Sequence, residues 1–199
     1  MNHILKYTLA LLVAVAPAFA APQVGQPAPE FTLTDSNGTS HKLSDFKGKF
    51  VVLEWLNHGC PFVKKHYDSN NMQMLQKEFT GQDVVWLSIV SSAPGKQGHM
   101  SAEDTNKTKA EKGAAPTAIL LDENGTIGKL YNAKVTPEMF IVNPEGLLIY
   151  AGAIDDKKST DPDDVKTSKN YVSQALNEAL KGKPVTETTT SAYGCSVKY

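Results

Sequence analysis

The chain has no arginine: its 20 basic residues are all lysine, set against 21 acidic residues. A mechanism that needs a bidentate guanidinium is therefore excluded for this chain acting alone. A strong charge of either sign is also missing. The formal net charge of −1 gives no electrostatic case for nucleic acid or an anionic membrane surface. Long apolar runs are scarce; beyond the first twenty residues none is long enough to span a bilayer. Cysteine is rarer still, with two in 199 residues, Cys60 and Cys195. The length suits one well-buried domain and is short for two, and neither repeats nor an internal linker divide it.

The one apolar run at the start reads as a signal peptide over residues 1–20. Lys6 and the amino terminus are its positive region, Leu9 to Val15 its apolar core, and Ala18-Phe19-Ala20 a small-x-small cleavage site. Export, to the periplasm or outside the cell, puts the mature chain in an oxidising compartment, where two cysteines can form and keep a disulfide.

Hydrophobic periodicity organises the rest of the chain. Phe31 to Thr34 and His41 to Leu43 read as short strands around the turn Asp35-Ser36-Asn37-Gly38. Phe50 to Trp55 is β-branched and almost continuously apolar, as expected of a central parallel strand covered on both faces. A helix follows Cys60 and is interrupted at Asp68-Ser69-Asn70-Asn71, after which Met72, Leu75 and Phe79 resume an apolar face. Val84 to Val90 is a buried strand and Ala102 to Lys112 a polar helix. Ala118 to Leu121, Met139 to Val142 and Leu147 to Ala151 are strands, the last two joined by the turn Asn143-Pro144-Glu145-Gly146. Tyr171 to Leu180 gives a final amphipathic helix. Strands alternating with helices, closed by a hairpin and a helix, indicate an α/β sandwich. The acidic residues Asp155, Asp156, Asp161, Asp163 and Asp164 lack the spacing of a calcium loop and read as solvated surface. Thr186 to Thr190 reads as a polar, mobile tether to the Cys195 segment.

Cys60 carries the chemistry. It stands between an apolar strand and a helix, in Asn57-His58-Gly59-Cys60-Pro61-Phe62. Pro61 suits the first helical position, where no N–H is needed. Unpaired N–H groups and the positive end of the helix dipole favour a thiolate there, and Lys64 and Lys65 follow within about a turn. The competing reading of Cys60 is an inert buried thiol. For the pair Cys60–Cys195 it is a permanent disulfide, worth about 5 kcal/mol for so long a loop in the chain-entropy picture. His58, Cys60 and His66 could alternatively ligate copper. The simpler view has His58 tuning the thiol and His66 on the helix surface, with no metal and no cofactor.

Gly25-Gln26-Pro27-Ala28-Pro29-Glu30-Phe31-Thr32-Leu33, then Leu43-Ser44-Asp45-Phe46-Lys47-Gly48-Lys49, resembles the opening of the redoxin family. That family includes thioredoxin-like oxidoreductases and the alkyl-hydroperoxide-reductase/thiol-specific-antioxidant group. The resemblance covers about residues 23 to 155. It implies a thioredoxin-like α/β fold, a central mixed β-sheet flanked by helices, with an N-terminal β-hairpin. The redoxin domain would span 21–182, and 183–199 would be a C-terminal tail carrying Cys195. Cys60 falls where the family places its attacking cysteine, with Gly59 and Pro61 setting its turn. Thr136-Pro137 resembles the cis-proline turn that lies beside that cysteine. Gly194-Cys195-Ser196 is similar to the tail of exported peroxiredoxin-like members.

Two departures bear on activity. A Cys-x-x-Cys pair would need cysteine at position 63, which is Val63, and a copper-delivery Cys-x-x-x-Cys would need it at Lys64. Peroxiredoxins carry threonine or serine three residues before the attacking cysteine, where this chain has Asn57, and they use an arginine. The resemblance thus implies an exported thiol–disulfide oxidoreductase with Cys60 as nucleophile and Cys195 as resolving cysteine. Its partners would be a protein or small-molecule disulfide or oxidant and an external thiol reductant. A thiol peroxidase is the second expectation. A non-enzymatic redoxin that binds copper or docks a partner, with a structural disulfide, is the third.

Overall fold

The computed structural model describes residues 21–199, so the expected signal peptide at 1–20 lies outside the described residues. In chain order the strands are β1 (Thr32–Asp35), β2 (Ser40–Lys42), β3 (Val51–Trp55), β4 (Val85–Val90), β5 (Ala118–Leu121), β6 (Val135–Thr136), β7 (Glu138–Val142), β8 (Leu148–Gly152) and β9 (Cys195–Ser196). The α-helices are α1 (Pro61–Asp68), α2 (Asn71–Thr80), α3 (Ala102–Lys112), α4 (Thr126–Leu130) and α5 (Tyr171–Leu180).

Seven strands form one mixed sheet in the order β2-β1-β5-β4-β3-β7-β8, and β6 and β9 pair separately. The aliphatic runs form its centre, where β3, β4 and β5 are mutually parallel. β7 returns antiparallel to β3 and β8 antiparallel to β7. Because side chains alternate along a strand, the sheet buries a core on each face. Val52, Trp86, Met139 and Ile141 meet Val63, Met72, Phe79, Val172 and Leu176 of α1, α2 and α5 on one face. Leu53, Trp55, Ile89 and Phe140 meet Phe31 and Tyr131 on the other. The same alternation turns Glu54 toward the α1–α2 face. Its carboxylate receives hydrogen bonds from Tyr67 (2.9 Å), Gln76 (3.2 Å), Trp86 (2.9 Å) and Ser88 (2.7 Å). Burial nevertheless holds its pKa above the usual value, outweighing those donors.

The expected break after Asp68 is real: Asn70 takes a left-handed conformation (φ 62°) and separates α1 from α2. Asparagine tolerates that region better than most residues. Three expectations are corrected. Leu43 begins a single 3-10 turn, Leu43–Phe46, rather than ending β2. Asp155 is not solvated surface; it is 1% exposed and pairs with the buried Lys65 (Nζ–Oδ2 3.1 Å). His66 is not on the helix surface but fully buried. Periodicity cannot tell a charged side chain that has a buried partner from one that faces water.

The tail differs most from its expectation. It is hydrogen-bonded along its course rather than free. Ala151 N–H donates to Thr188 O (3.0 Å), Thr190 N–H to Ala151 O (3.2 Å), and Ala153 N–H to Thr190 Oγ1 (2.9 Å). The chain then crosses α1, pairs as β9 with β6, and ends with the Tyr199 hydroxyl on Ala133 O (2.7 Å). Among the described residues, no helix is long and apolar enough to cross a membrane.

Candidate active site

The loop before α1 is shaped by Asn57. Its buried side-chain oxygen accepts from Gly59 N–H (2.8 Å), its amide donates to Gln97 O (3.1 Å), and its backbone carbonyl accepts from Cys60 N–H (2.9 Å). Gln97 closes the frame by donating to Gly59 O (3.1 Å). Gly59 packs closely in this frame: a Cβ there would lie 3.0 Å from Gln97 Cγ and 3.1 Å from Asn57 Oδ1, so those side chains would have to shift by a few tenths of an ångström. Cys60 is then the N-cap of α1, in extended conformation, with Pro61 at the first helical position.

Cys60 is completely buried. As a thiol it donates to Thr136 O (3.1 Å). Burial opposes its ionisation, but four donors outweigh burial and bring its pKa below that of an ordinary thiol. They are the Cys195 side chain, the Val63 N–H in the first turn of α1, the Cys195 N–H and the Thr136 hydroxyl. That hydroxyl is buried with no other partner. Ionisation thus exchanges the bond to Thr136 O for donors already in place. Cys195 moves the opposite way, pushed up to about 11 by burial and by the neighbouring Cys60, with Lys198 opposing. Both cysteines are free thiols in this structure.

The turn at Thr136–Pro137 carries a cis peptide bond. It sits where β6 meets β9, with Thr136 paired to Cys195 and Val135 to Ser196. Gly194 makes that approach possible. Its φ of +153° is open to glycine, and a Cβ would overlap the Thr136 carbonyl. Cys60, Thr136 and Cys195 therefore converge, with Pro137 beside them and Gly59 and Pro61 flanking the first.

Other candidates lie elsewhere. The His58 ring stands edge-on to Tyr67 (centroids 4.8 Å apart), and burial lowers its pKa to about 4; it is not among the main groups acting on Cys60. Lys64 and Lys65 are not among them either. Lys65 is committed to Asp155, to Lys157 O (2.7 Å) and to Tyr193 (3.4 Å). His66 Nδ1 is bonded to Asn71 (2.9 Å). Among the described residues, no three His, Cys, Asp or Glu side chains form a metal-holding cluster, so the His58–Cys60–His66 copper set is not assembled. Gln97, Asn57 as a loop brace and Tyr193 as a tail anchor are roles the sequence does not announce. Only Tyr193, two residues before Cys195, leaves a signal: a large aromatic in a mostly polar tail.

Known proteins resemble this chain in sequence and in fold. A thiol-disulfide oxidoreductase, ResA of Bacillus subtilis strain 168, is 27% identical over 125 residues, which are 63% of this chain and 64% of that protein. The match thus spans less than two thirds of the relative's length. The crystal structure of an uncharacterized conserved protein from Geobacillus kaustophilus superposes with a TM-score of 0.77 at 27% identity, covering 89% of this chain and 92% of that one. The thioredoxin domain of a Bacteroides vulgatus thiol-disulfide oxidoreductase does so with a TM-score of 0.52 at 20% identity, over 74% of this chain and 98% of that one. That last likeness is one of fold, and it is the thioredoxin-like α/β fold. The AhpC/TSA family model matches residues 24–151, from before β1 well into β8 and across the whole Cys60 loop and cis-proline turn, and the chain belongs to the AhpC/TSA family.

Proposed function

We propose that this chain is an exported thiol–disulfide oxidoreductase, with Cys60 as nucleophile and Cys195 as resolving cysteine. The observation that carries the reading is the pairing of β9 with β6, which holds Cys195 against Thr136 and beside Cys60. The Cys60 thiolate attacks one sulfur of a substrate disulfide. A Cys60–S–S–substrate bond forms, and the other half leaves as a thiolate that takes up a proton. With Cys60 now neutral, the charge that held Cys195 as a thiol is gone, while Lys198 still favours its thiolate. Cys195 loses its proton and attacks Cys60 Sγ. The Cys60–Cys195 disulfide forms, and the substrate leaves as a second thiol. The substrate has gained two electrons and the protein has lost two; an external dithiol returns them.

The opposed pKa directions of the two cysteines suit these roles, since the low one attacks first and the high one waits. Asn57, at the position where peroxidases have a hydroxyl residue, braces the loop through Gly59 and Gln97 and offers no hydroxyl to a peroxide, which favours disulfide exchange over peroxidase chemistry. Thiol exchange with a model disulfide tests the proposal. Cys60→Ser should abolish exchange, and Cys195→Ser should stop at a stable mixed disulfide on Cys60; full turnover by either variant would refute it.

A further inference from the structure

The tail does more than deliver Cys195. Cys60 is completely buried at the N-terminus of α1, and part of its cover is the tail itself. Tyr193 lies across the first turn of α1, its ring edge-on to Phe62 (5.8 Å). Its hydroxyl bonds to Asp155 and lies 3.4 Å from Lys65 Nζ. Gly194 is pressed on the Thr136 carbonyl, and Val197 packs on the second core. At the far end Tyr199 rests on Gly125 and Gly128. A disulfide cannot reach Cys60 while this segment is seated. The surface beneath it is the edge of β6, two residues long and paired only with β9 among the described residues. Such an edge accepts any extended chain through its main-chain groups.

We infer that residues Tyr193–Val197 are a resident strand occupying the place of a polypeptide substrate, which displaces it and pairs with Val135–Thr136 in its stead. This rests on the oxidoreductase reading and names its substrate class: an extended peptide carrying a disulfide-bonded cysteine. The tail also shows the preferred sequence. An aromatic residue two before the cysteine fills the slot between Phe62 and Lys65. Glycine directly before it clears the Thr136 carbonyl, and an apolar residue two after it packs as Val197 does. Exchange then runs as a swap of strands. The peptide seats, Cys60 takes its sulfur, and the returning tail brings Cys195 onto Cys60 and expels the peptide as a thiol.

The test uses the full mature chain with Cys195→Ser, so that Cys60 is the sole thiol. Its alkylation by iodoacetamide is followed by mass spectrometry, comparing limiting rates at high pH so that changes in pKa do not enter. Adding Gly194→Val, which cannot seat against Thr136, should raise the rate at least about tenfold, as expected when a closed segment opens. A heptapeptide copying residues 191–197, with serine for its cysteine, should slow the reaction again. The same peptide with valine for its glycine should not. Unchanged alkylation in Gly194→Val, or equal effects of the two peptides, would overturn the inference. Should Gly194→Val fail to fold, Tyr199→Ala, which loosens the far end, must raise the rate in the same direction, and no rise overturns the inference equally. If Cys60 is released by these changes yet exchanges with no disulfide, the oxidoreductase reading fails and not the tail's shielding. If it exchanges at a rate indifferent to the tail, only the shielding fails.

Discussion

Cys195 stands directly across from Thr136 in an antiparallel pair, and the Thr136 carbonyl accepts the Cys60 thiol. One residue of the cis-proline turn thus touches both cysteines, although they are distant in sequence. The site is set by where the tail docks as much as by the helix that Cys60 caps.

The tail has a share in the acidity of Cys60, because Cys195 supplies both a side-chain and a main-chain donor to the Cys60 sulfur. In Cys195→Ala the side-chain donor is lost, and the pKa of Cys60 should rise. Thiolate absorbance in the ultraviolet, followed against pH, measures it. An unchanged midpoint would show that the Cys195 side chain has no part in the acidity, leaving it to the Val63 and Cys195 N–H groups and the Thr136 hydroxyl.

Thr136→Val separates acidity from stability. The hydroxyl is buried and unpartnered while Cys60 is a thiol, so its removal should leave stability unchanged or raise it by about 1 kcal/mol. The Cys60 pKa should rise at the same time. Chemical denaturation and the thiolate titration together check this, and a fall in both quantities would contradict it.

Lys65 and Asp155 are 1% exposed each and lock α1 to the segment after β8. Asp155→Asn leaves the lysine charge buried without its counter-charge and should cost roughly 3–5 kcal/mol. Tyr193→Phe keeps the pair and loses only the hydroxyl contact, so about 1–2 kcal/mol is expected. Denaturant midpoints for the two variants should rank in that order.

Stability should fall on mild acidification. Burial lowers His58 and His66 from 6.5 to about 4, so the unfolded chain takes up these protons first. Each histidine subtracts stability as pH drops below 6.5, and the loss is complete below about 4, on the order of 3 kcal/mol apiece. His58→Phe, which keeps a ring on Tyr67, should flatten that acid limb when unfolding free energy is measured at several pH values. An acid limb as steep as the parent's would contradict the assignment.

The sheet was legible because burial on both faces leaves an unmistakable trace. The runs at β3, β4 and β5 hold almost nothing but apolar residues, and α3, β5 and α5 end where the pattern ends. Asn70 could be read because its neighbours are all turn formers. β6, α4 and β9 could not: two to five residues show no period, and β6 and β9 exist only through each other. Cys60, Pro61 and the Thr136–Pro137 turn were legible from local chemistry and the redoxin resemblance. The burial of Lys65, His66 and Asp155 was not, because each is offset by a partner that local pattern does not reveal. For the same reason a threonine-rich tail read as a loose tether, whereas its hydroxyls and main chain bond to β8 and the residues after it.

Everything proposed for the site requires that Cys60 and Cys195 become joined during turnover. The decisive measurement is mass spectrometry of residues 21–199 after reaction with one equivalent of a small disulfide. An internal Cys60–Cys195 bond and release of two substrate thiols per chain are expected. A stable adduct on Cys60 with Cys195 still a free thiol would contradict the proposed exchange.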